Sequence, residues 1–269
     1  MRMYRWGIVM VLCAIWLTAN CGPVWGQQFC GLKNKVITNG EKVEFTVYYN
    51  LSALWVAAGK ASFTTQLTHL DGRPVFHLTG SGRTFKSYDW IYKVDDVYES
   101  FVDTQTLLPR KFSRKVYENG RKKTEYVRFV HAARKAFANN KSYDVSQCVQ
   151  DVLSAIYYAR NIDYSKYKPG DKIPFDMFID EELHHLYIRY LGKQQITTRY
   201  GTFNTIKIRP LLVEGTIFRG GEQMDIYVTD DLNLVPVRID SKILVGSIKV
   251  DMTSFSGLRH PMKALLRKK

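Results

Sequence analysis

Apolar and polar side chains alternate with a period of two along most of the chain. Val43, Phe45, Val47 and Tyr49 alternate with Glu44, Thr46 and Tyr48, the signature of a half-buried strand. A small apolar stretch, 51–58, follows. Gly59-Lys60-Ala61 opens a second strand through Phe63 and Leu67 to an Asp71-Gly72 turn, and a third runs from Pro74 to about Thr84. An aromatic connection from Phe85 to Trp90 leads to a fourth strand, Tyr92 to Val102.

The clearest hairpin of the N-terminal half turns on Asn119-Gly120, a pair suited to the positive φ angles of a type I′ turn. A two-residue loop there pairs Tyr117 with Lys122, Lys115 with Thr124, Ser113 with Tyr126 and Lys111 with Arg128. The opposite face pairs Phe112 with Val127, Arg114 with Glu125 and Val116 with Lys123. Lys111, Lys115, Lys122 and Arg128 therefore form one basic stripe. It reads either as an anion-binding surface or as a solvated edge whose lysines discourage aggregation.

One segment breaks the alternation. Val145, Cys148, Val149, Val152, Leu153, Ile156 and Tyr157 repeat with helical spacing, and Asp144 with Gln147 matches a capping box. The spacing predicts an amphipathic helix over 145–160. Beyond the Lys168-Pro169-Gly170-Asp171 turn, short strands resume as a β-meander over 173–255, including separate strands at 183–191 and 195–200 and a turn at Gly220-Gly221. No helix separates these strands, which points away from βαβ units. The expected fold is mainly β: antiparallel curved sheets, barrel-like or sandwiched, with one central helix dividing strands 43–130 from the meander. Residues 256–269 read as a basic tail, either frayed or touching membrane.

The first residues change the cellular picture. Arg2 and Arg5 precede an uncharged apolar run from Trp6 to Ala19, and Val24-Trp25-Gly26 offers a cleavage site, so residues 1–26 are expected to be a signal peptide. Cys21 raises the alternative of a lipidated N-terminus, disfavoured by the Asn20 before it. The mature chain, from residue 27 to 269, is expected to be one β-rich domain of the periplasm or outer-membrane-associated envelope. It keeps Cys30 and Cys148, expected as a disulfide in an oxidising compartment; otherwise Cys148 is a buried thiol. The chain has 39 basic and 25 acidic residues, and loss of Arg2 and Arg5 lowers its net charge from +14 to +12. For an exported protein, that charge reads either as a surface for anionic lipid head groups, membrane, glycans or acidic substrates rather than nucleic acid, or as a basic but passive surface.

Gly40-Glu41-Lys42-Val43-Glu44-Phe45, Ala58-Gly59-Lys60-Ala61, Asp96-Val97-Tyr98-Glu99-Ser100 and Leu108-Pro109 occur in that order. Asp151-Val152-Leu153-Ser154-Ala155, Tyr157-Tyr158-Ala159-Arg160, Lys168-Pro169-Gly170-Asp171, Tyr200-Gly201-Thr202-Phe203, Asp230-Asp231 and Val235-Pro236-Val237 continue the series. Over about residues 38–255 this order resembles a Gram-negative, Bacteroidetes-like secreted envelope family catalogued as a domain of unknown function. The resemblance implies a secreted, mainly β protein, carries no catalytic residues over, and suggests by analogy the open barrel of lipid and lipoprotein carriers.

No catalytic constellation, metal set or cofactor motif stands out. Glu181-Glu182-Leu183-His184-His185 puts its adjacent histidines on opposite faces of a strand, which argues against a metal site. Gly80-Ser81-Gly82 lacks the spacing of a nucleophile elbow, and no glycine loop fits phosphate. The chemistry left is apolar: Trp55, Phe85, Tyr88 and Trp90 lie in or beside connections, where they either line the mouth of a cavity or cover the ends of a core. The leading expectation is a non-catalytic envelope protein binding a lipid-like ligand. The alternatives are a glycan-binding or glycan-cleaving protein using Asp95, Asp96, Asp230 or Asp231, and a structural partner of an outer-membrane assembly.

Overall fold

The computed structural model describes residues 30–51, 54–215, 219–243 and 246–269. The expected signal peptide and Cys21 lie outside the described residues. The first half of the chain supplies strands β1 (Lys42–Leu51), β2 (Leu54–Leu70), β3 (Arg73–Thr84), β4 (Asp95–Asp103), β5 (Pro109–Glu118), β6 (Arg121–Val130), β7 (Lys135–Ala138) and β8 (Lys141–Asp144). Helix α1 (Val152–Ala159) follows, and then β9 (Lys172–Ile179), β10 (Glu182–Thr197) and β11 (Gly201–Pro210). The last strands are β12 (Leu212–Glu214), β13 (Arg219–Gly221), β14 (Met224–Thr229), β15 (Pro236–Lys242), β16 (Ser247–Ser256) and β17 (Leu265–Lys268).

The main sheet runs β8-β7-β6-β5-β4-β3-β2-β1-β16-β15-β14-β11-β10-β9, with β17 added to β11, while β12 and β13 form a separate ribbon. Its named ladders are antiparallel, and β1 pairs with β16, so the first and last long strands lie side by side at its centre. The sheet curls without closing by a continuous ladder. Instead, backbone bonds join Gln150, just before the helix, to Asp176 and Phe178 of edge strand β9. Phe178 also packs against Phe129 of β6 and Tyr143 of β8, so a small apolar core spans the gap between the two edges.

Antiparallel register gives the curled sheet two distinct ends. One end holds the starts of β1 and β11 and is filled: Val43, Phe45, Phe203, Val237 and Met252 pack there beneath Met262 and Leu265 of the C-terminal segment. The expected basic tail is corrected at this end, because Leu265–Lys268 is a strand on β11. Its backbone donors and acceptors are satisfied by the sheet, which outweighs the tail's charge. The other end carries the β1–β2 tip, the β3–β4 connection, the β5–β6 turn and the β12–β13 ribbon.

The helix lies inside the curl. It is shorter than expected: α1 begins after Asp151, not near Asp144, which ends β8. Val145, Cys148 and Val149 are buried as their spacing suggested. They occupy an irregular segment because Gln150 is committed to β9 and Cys148 is bonded to Cys30, with Cα atoms 5.4 Å apart. Asp151 Oδ1 accepts from the backbone N–H of Leu153 and Ser154, each at 2.8 Å, and the Ser154 hydroxyl accepts from the Asp151 N–H at 2.9 Å. That reciprocal pair is the true capping box. The Ser100 hydroxyl of β4 donates to Asp151 Oδ2 at 2.6 Å, tying the helix start to the sheet.

Tight seating of α1 depends on a glycine. A Cβ at Gly80 of β3 would come within 3.2 Å of Leu153 Cδ1 and 3.1 Å of the Phe63 ring, so the bare backbone lets the helix approach. Tyr157 stands edge-on to Phe63. At the C-terminus of the helix, Arg160 forms a buried fork with Glu41, at 2.5 and 2.9 Å, and donates to the Asn233 carbonyl at 3.0 Å. One side chain thereby joins the helix, the approach to β1 and the β14–β15 connection.

Three smaller expectations are also revised. The apolar stretch before Gly59 belongs to β2, which starts at Leu54. Residues 183–191 and 195–200 belong largely to one long strand, β10, bent by a bulge at Gly192, whose φ of +98° suits glycine. Gly220-Gly221 lies in β13 rather than in a turn.

Candidate functional site

Helix α1 is apolar nearly all round, and its two sides meet different surroundings. Leu153 and Tyr157 pack on the sheet near β2 and β3. Val152, Ala155, Ile156 and Ala159, spaced i, i+3, i+4 and i+7, face a cavity of about 740 Å³ instead. Its far wall comes from the concave face of the C-terminal strands: Phe175 and Met177 of β9, Leu186 and Ile188 of β10, Ile208 of β11, Ile226 and Val228 of β14, and Ile239 of β15. Leu211, Leu212 and Val213 close one side from the β12–β13 ribbon.

The ribbon's return into β14 is fixed by ion pairs. The Arg189 guanidinium holds Glu222, which also accepts from the Tyr187 hydroxyl at 2.6 Å, and these donors keep the Glu222 carboxyl below its ordinary range. Arg209 and Lys207 grip Asp225 at 2.6 and 2.9 Å. The apolar wall is therefore backed by charges paired away from the cavity.

The mouth is polar. Arg114, Glu118, Arg121, Lys122 and Lys123 reach it from the β5–β6 hairpin, and Asp180 from the β9–β10 turn. Asp180 pairs with Arg114 and Lys123, and its backbone N–H donates to Glu125 at 2.8 Å, joining the β9–β10 turn to the β5–β6 hairpin across the gap in the open sheet. Arg121 and Lys122 are exposed and have no carboxylate within ion-pairing distance among the described residues. Nearby, burial raises the Asp96 carboxyl to about 7, and the neighbouring Glu118 and Asp95 add to the shift. Burial likewise pushes the Tyr98 phenol, which lines the cavity, up to about 12.

The residues singled out from sequence divide between several places. Lys122 lies at the cavity mouth. Lys111 and Arg128 line a more open groove of about 1140 Å³ with Arg73, Arg110, Tyr126 and Lys141, beside the outer face of β5–β6. Lys115 is exposed and lines neither. The hairpin's register is the one expected, from Glu118–Arg121 to Lys111–Arg128. Trp55, Phe85, Tyr88 and Trp90 do not line the cavity; they sit on the β1–β2 tip and the β3–β4 connection, at the open end of the sheet. Asp95 and Asp96 start β4 at that end, whereas Asp230 and Asp231 follow β14 at the filled end, so the four carboxylates do not converge. His184 and His185 differ sharply in exposure, the second pairing with Asp176 at 2.7 Å. Among the described residues no three His, Cys, Asp or Glu side chains are placed to hold a metal ion.

Sequence reasoning missed the cavity wall, which is assembled from five strands, a ribbon and one helix face. The available signal was the helix itself. VLSAIYYA has apolar residues on both faces, and a helix of that kind has apolar neighbours on two sides.

Comparison with known proteins agrees with this architecture. Residues 44–253 match a family described as a protein of unknown function, DUF3108. No curated protein matches the chain. Among solved structures, a β-barrel-like DUF1849 protein from Brucella abortus is similar, with a TM-score of 0.53 and 8% identity, covering 82% of this chain and 98% of that one. A protein with a YmcC-like fold from Bacteroides fragilis gives a TM-score of 0.30 at 10% identity, covering 82% and 97%. The first likeness is one of fold alone. The family match spans most of the chain, which belongs to the DUF3108 family.

Proposed function

We propose that this member of the DUF3108 family is a non-catalytic, exported envelope protein that holds a lipid-like amphiphile in the cavity between α1 and strands β9–β15. The observation that carries the reading is the cavity: about 740 Å³, walled by aliphatic and aromatic side chains, with charged groups at one end. That volume lies within the range of small-molecule sites, and an apolar body with a polar mouth is complementary to one chain and one headgroup. Burying about ten methylenes there would contribute roughly 8 kcal/mol before the costs of association.

Export is supported by the basic start and apolar run of residues 2–19, and by the Cys30–Cys148 bond, which suits an oxidising compartment. The periplasm or the periplasmic face of the outer membrane fits both. Native mass spectrometry of protein purified gently from its host tests the assignment. The expected result is a second mass series displaced by one or more amphiphile masses and removed by organic extraction. Only the bare polypeptide mass, together with no uptake of added fatty acid or lysophospholipid, would overturn it.

A further inference from the structure

Beside the cavity mouth, the β1–β2 tip and the β3–β4 connection carry four of the exposed large apolar side chains among the described residues, including the two most exposed, Trp90 and Leu54. Trp90 is 82% exposed and Leu54 72%, while Ile91 and Trp55 are 50% and 39% exposed. They come from two connections held side by side: the Phe85 N–H donates to the Ala58 carbonyl at 2.8 Å, and Gly59 pairs with Thr84. The same connection meets the β5–β6 turn, where the Asn119 N–H donates to the Lys93 carbonyl at 2.8 Å. The apolar tips thus adjoin the hairpin that forms the polar mouth.

Their surroundings are basic. Lys86 and Lys93 are exposed beside the tips, and Lys249 lies over the Trp55 ring at 4.4 Å, against Asp89, Asp95 and Asp96. Farther along this end Arg121 and Lys122 are exposed, as are Glu182, Glu214 and Asp180, the last already paired with Arg114 and Lys123. Asp89 is engaged by the Thr84 hydroxyl at 2.8 Å. The Trp90 indole N–H already donates to the Ser87 carbonyl at 2.9 Å. Moving that ring into an interface therefore strands no donor, and what it offers is apolar surface.

We infer that this end of the molecule docks on an anionic lipid bilayer, with Leu54, Trp55, Trp90 and Ile91 entering the headgroup boundary and the surrounding cations facing lipid phosphates. Exposed aromatic and aliphatic tips ringed by lysine and arginine match both layers of such an interface, the apolar boundary and the negative surface. A protein groove would be complementary to the apolar tips but would need its own acidic rim, whereas an anionic bilayer supplies both features at once. Docking in this orientation sets the cavity mouth against the membrane. It goes beyond the proposed ligand, because the surface is defined by loops outside the cavity.

Flotation of the full chain with vesicles tests the inference, using phosphatidylcholine alone and phosphatidylcholine mixed with phosphatidylglycerol. Binding is expected to the anionic vesicles and to weaken with salt. Replacing Lys86 and Lys122 with serine should weaken partitioning by about fivefold for each cation. Leu54→Ser with Trp90→Ser should weaken it by about tenfold or more. Thermal unfolding should not change, since these side chains are solvated already. Ile156→Trp, which narrows the cavity beside α1, should leave vesicle binding intact while weakening amphiphile uptake, so loss of the cavity ligand and loss of docking remain separate outcomes. Absence of binding to anionic vesicles, or binding indifferent to Leu54 and Trp90, would overturn the inference.

Discussion

Replacing Asp151 with asparagine should stabilise the protein, and the gain should grow with pH. Burial raises this carboxyl from 3.8 to about 6, against the opposing pull of hydrogen bonds from Ser100, Ser154 and Leu153. A folded-state value above the unfolded one means that the folded protein holds the proton to higher pH. Between about pH 4 and 6 the folded state therefore binds more protons, and stability falls as pH rises through that window and levels off above it. The raised value corresponds to about 3 kcal/mol at pH 7.5, of which about 2 kcal/mol develops between pH 4.5 and 7.5.

Asparagine keeps an oxygen for the Leu153 and Ser154 N–H groups and is nearly as good a cap as aspartate. Its amide meets the Ser100 hydroxyl, which can turn from donor to acceptor. Urea unfolding of the two proteins, followed by circular dichroism across this pH range, should show the variant's advantage widening by about 2 kcal/mol. Asp96 titrates in both proteins and cancels from the difference. A constant difference, or one in which the native protein gains on the variant as pH rises, would refute the assignment of a desolvated carboxylate at the cap.

Reduction of the Cys30–Cys148 bond, or Cys30→Ser with Cys148→Ser, opens a loop spanning 118 residues. It should lower stability by about 4–5 kcal/mol, measured by denaturant unfolding with and without reductant. Arg160→Ala leaves Glu41 buried without its partner and should cost about 3–5 kcal/mol, whereas Arg160→Met combined with Glu41→Leu should recover much of that loss. A double variant as unstable as the single one would show that the pair does more than neutralise itself.

Period-two patterning located most of the strands, and Asn119-Gly120 made the β5–β6 register readable residue by residue. Strand alternation survives in sequence because one face of each strand is wet. The start of the helix is not legible in the sequence, because Val145, Cys148 and Val149 are buried for another reason, through the contact with β9 and the disulfide, yet fall at helical spacing. Asp144 and Gln147 imitate a cap that Asp151 and Ser154 form. The strand at Leu265–Lys268 has no alternation to reveal it, since its contribution is backbone pairing on β11. The cavity was the least legible feature. Ile156, Met177, Ile208 and Ile239 come together only after a long curled sheet brings distant strands to one face, and no local periodicity encodes that.

The central claim is that the space between α1 and the C-terminal strands is a binding site for an apolar chain. Displacement of an environment-sensitive fluorescent amphiphile by single-chain carboxylates of increasing length measures it directly, on the native protein and on Ile156→Trp. The account predicts about fourfold tighter binding for each added methylene until the cavity is filled, and a series that levels off at shorter chains in the variant. Affinity indifferent to chain length, or the same series in both proteins, would contradict it.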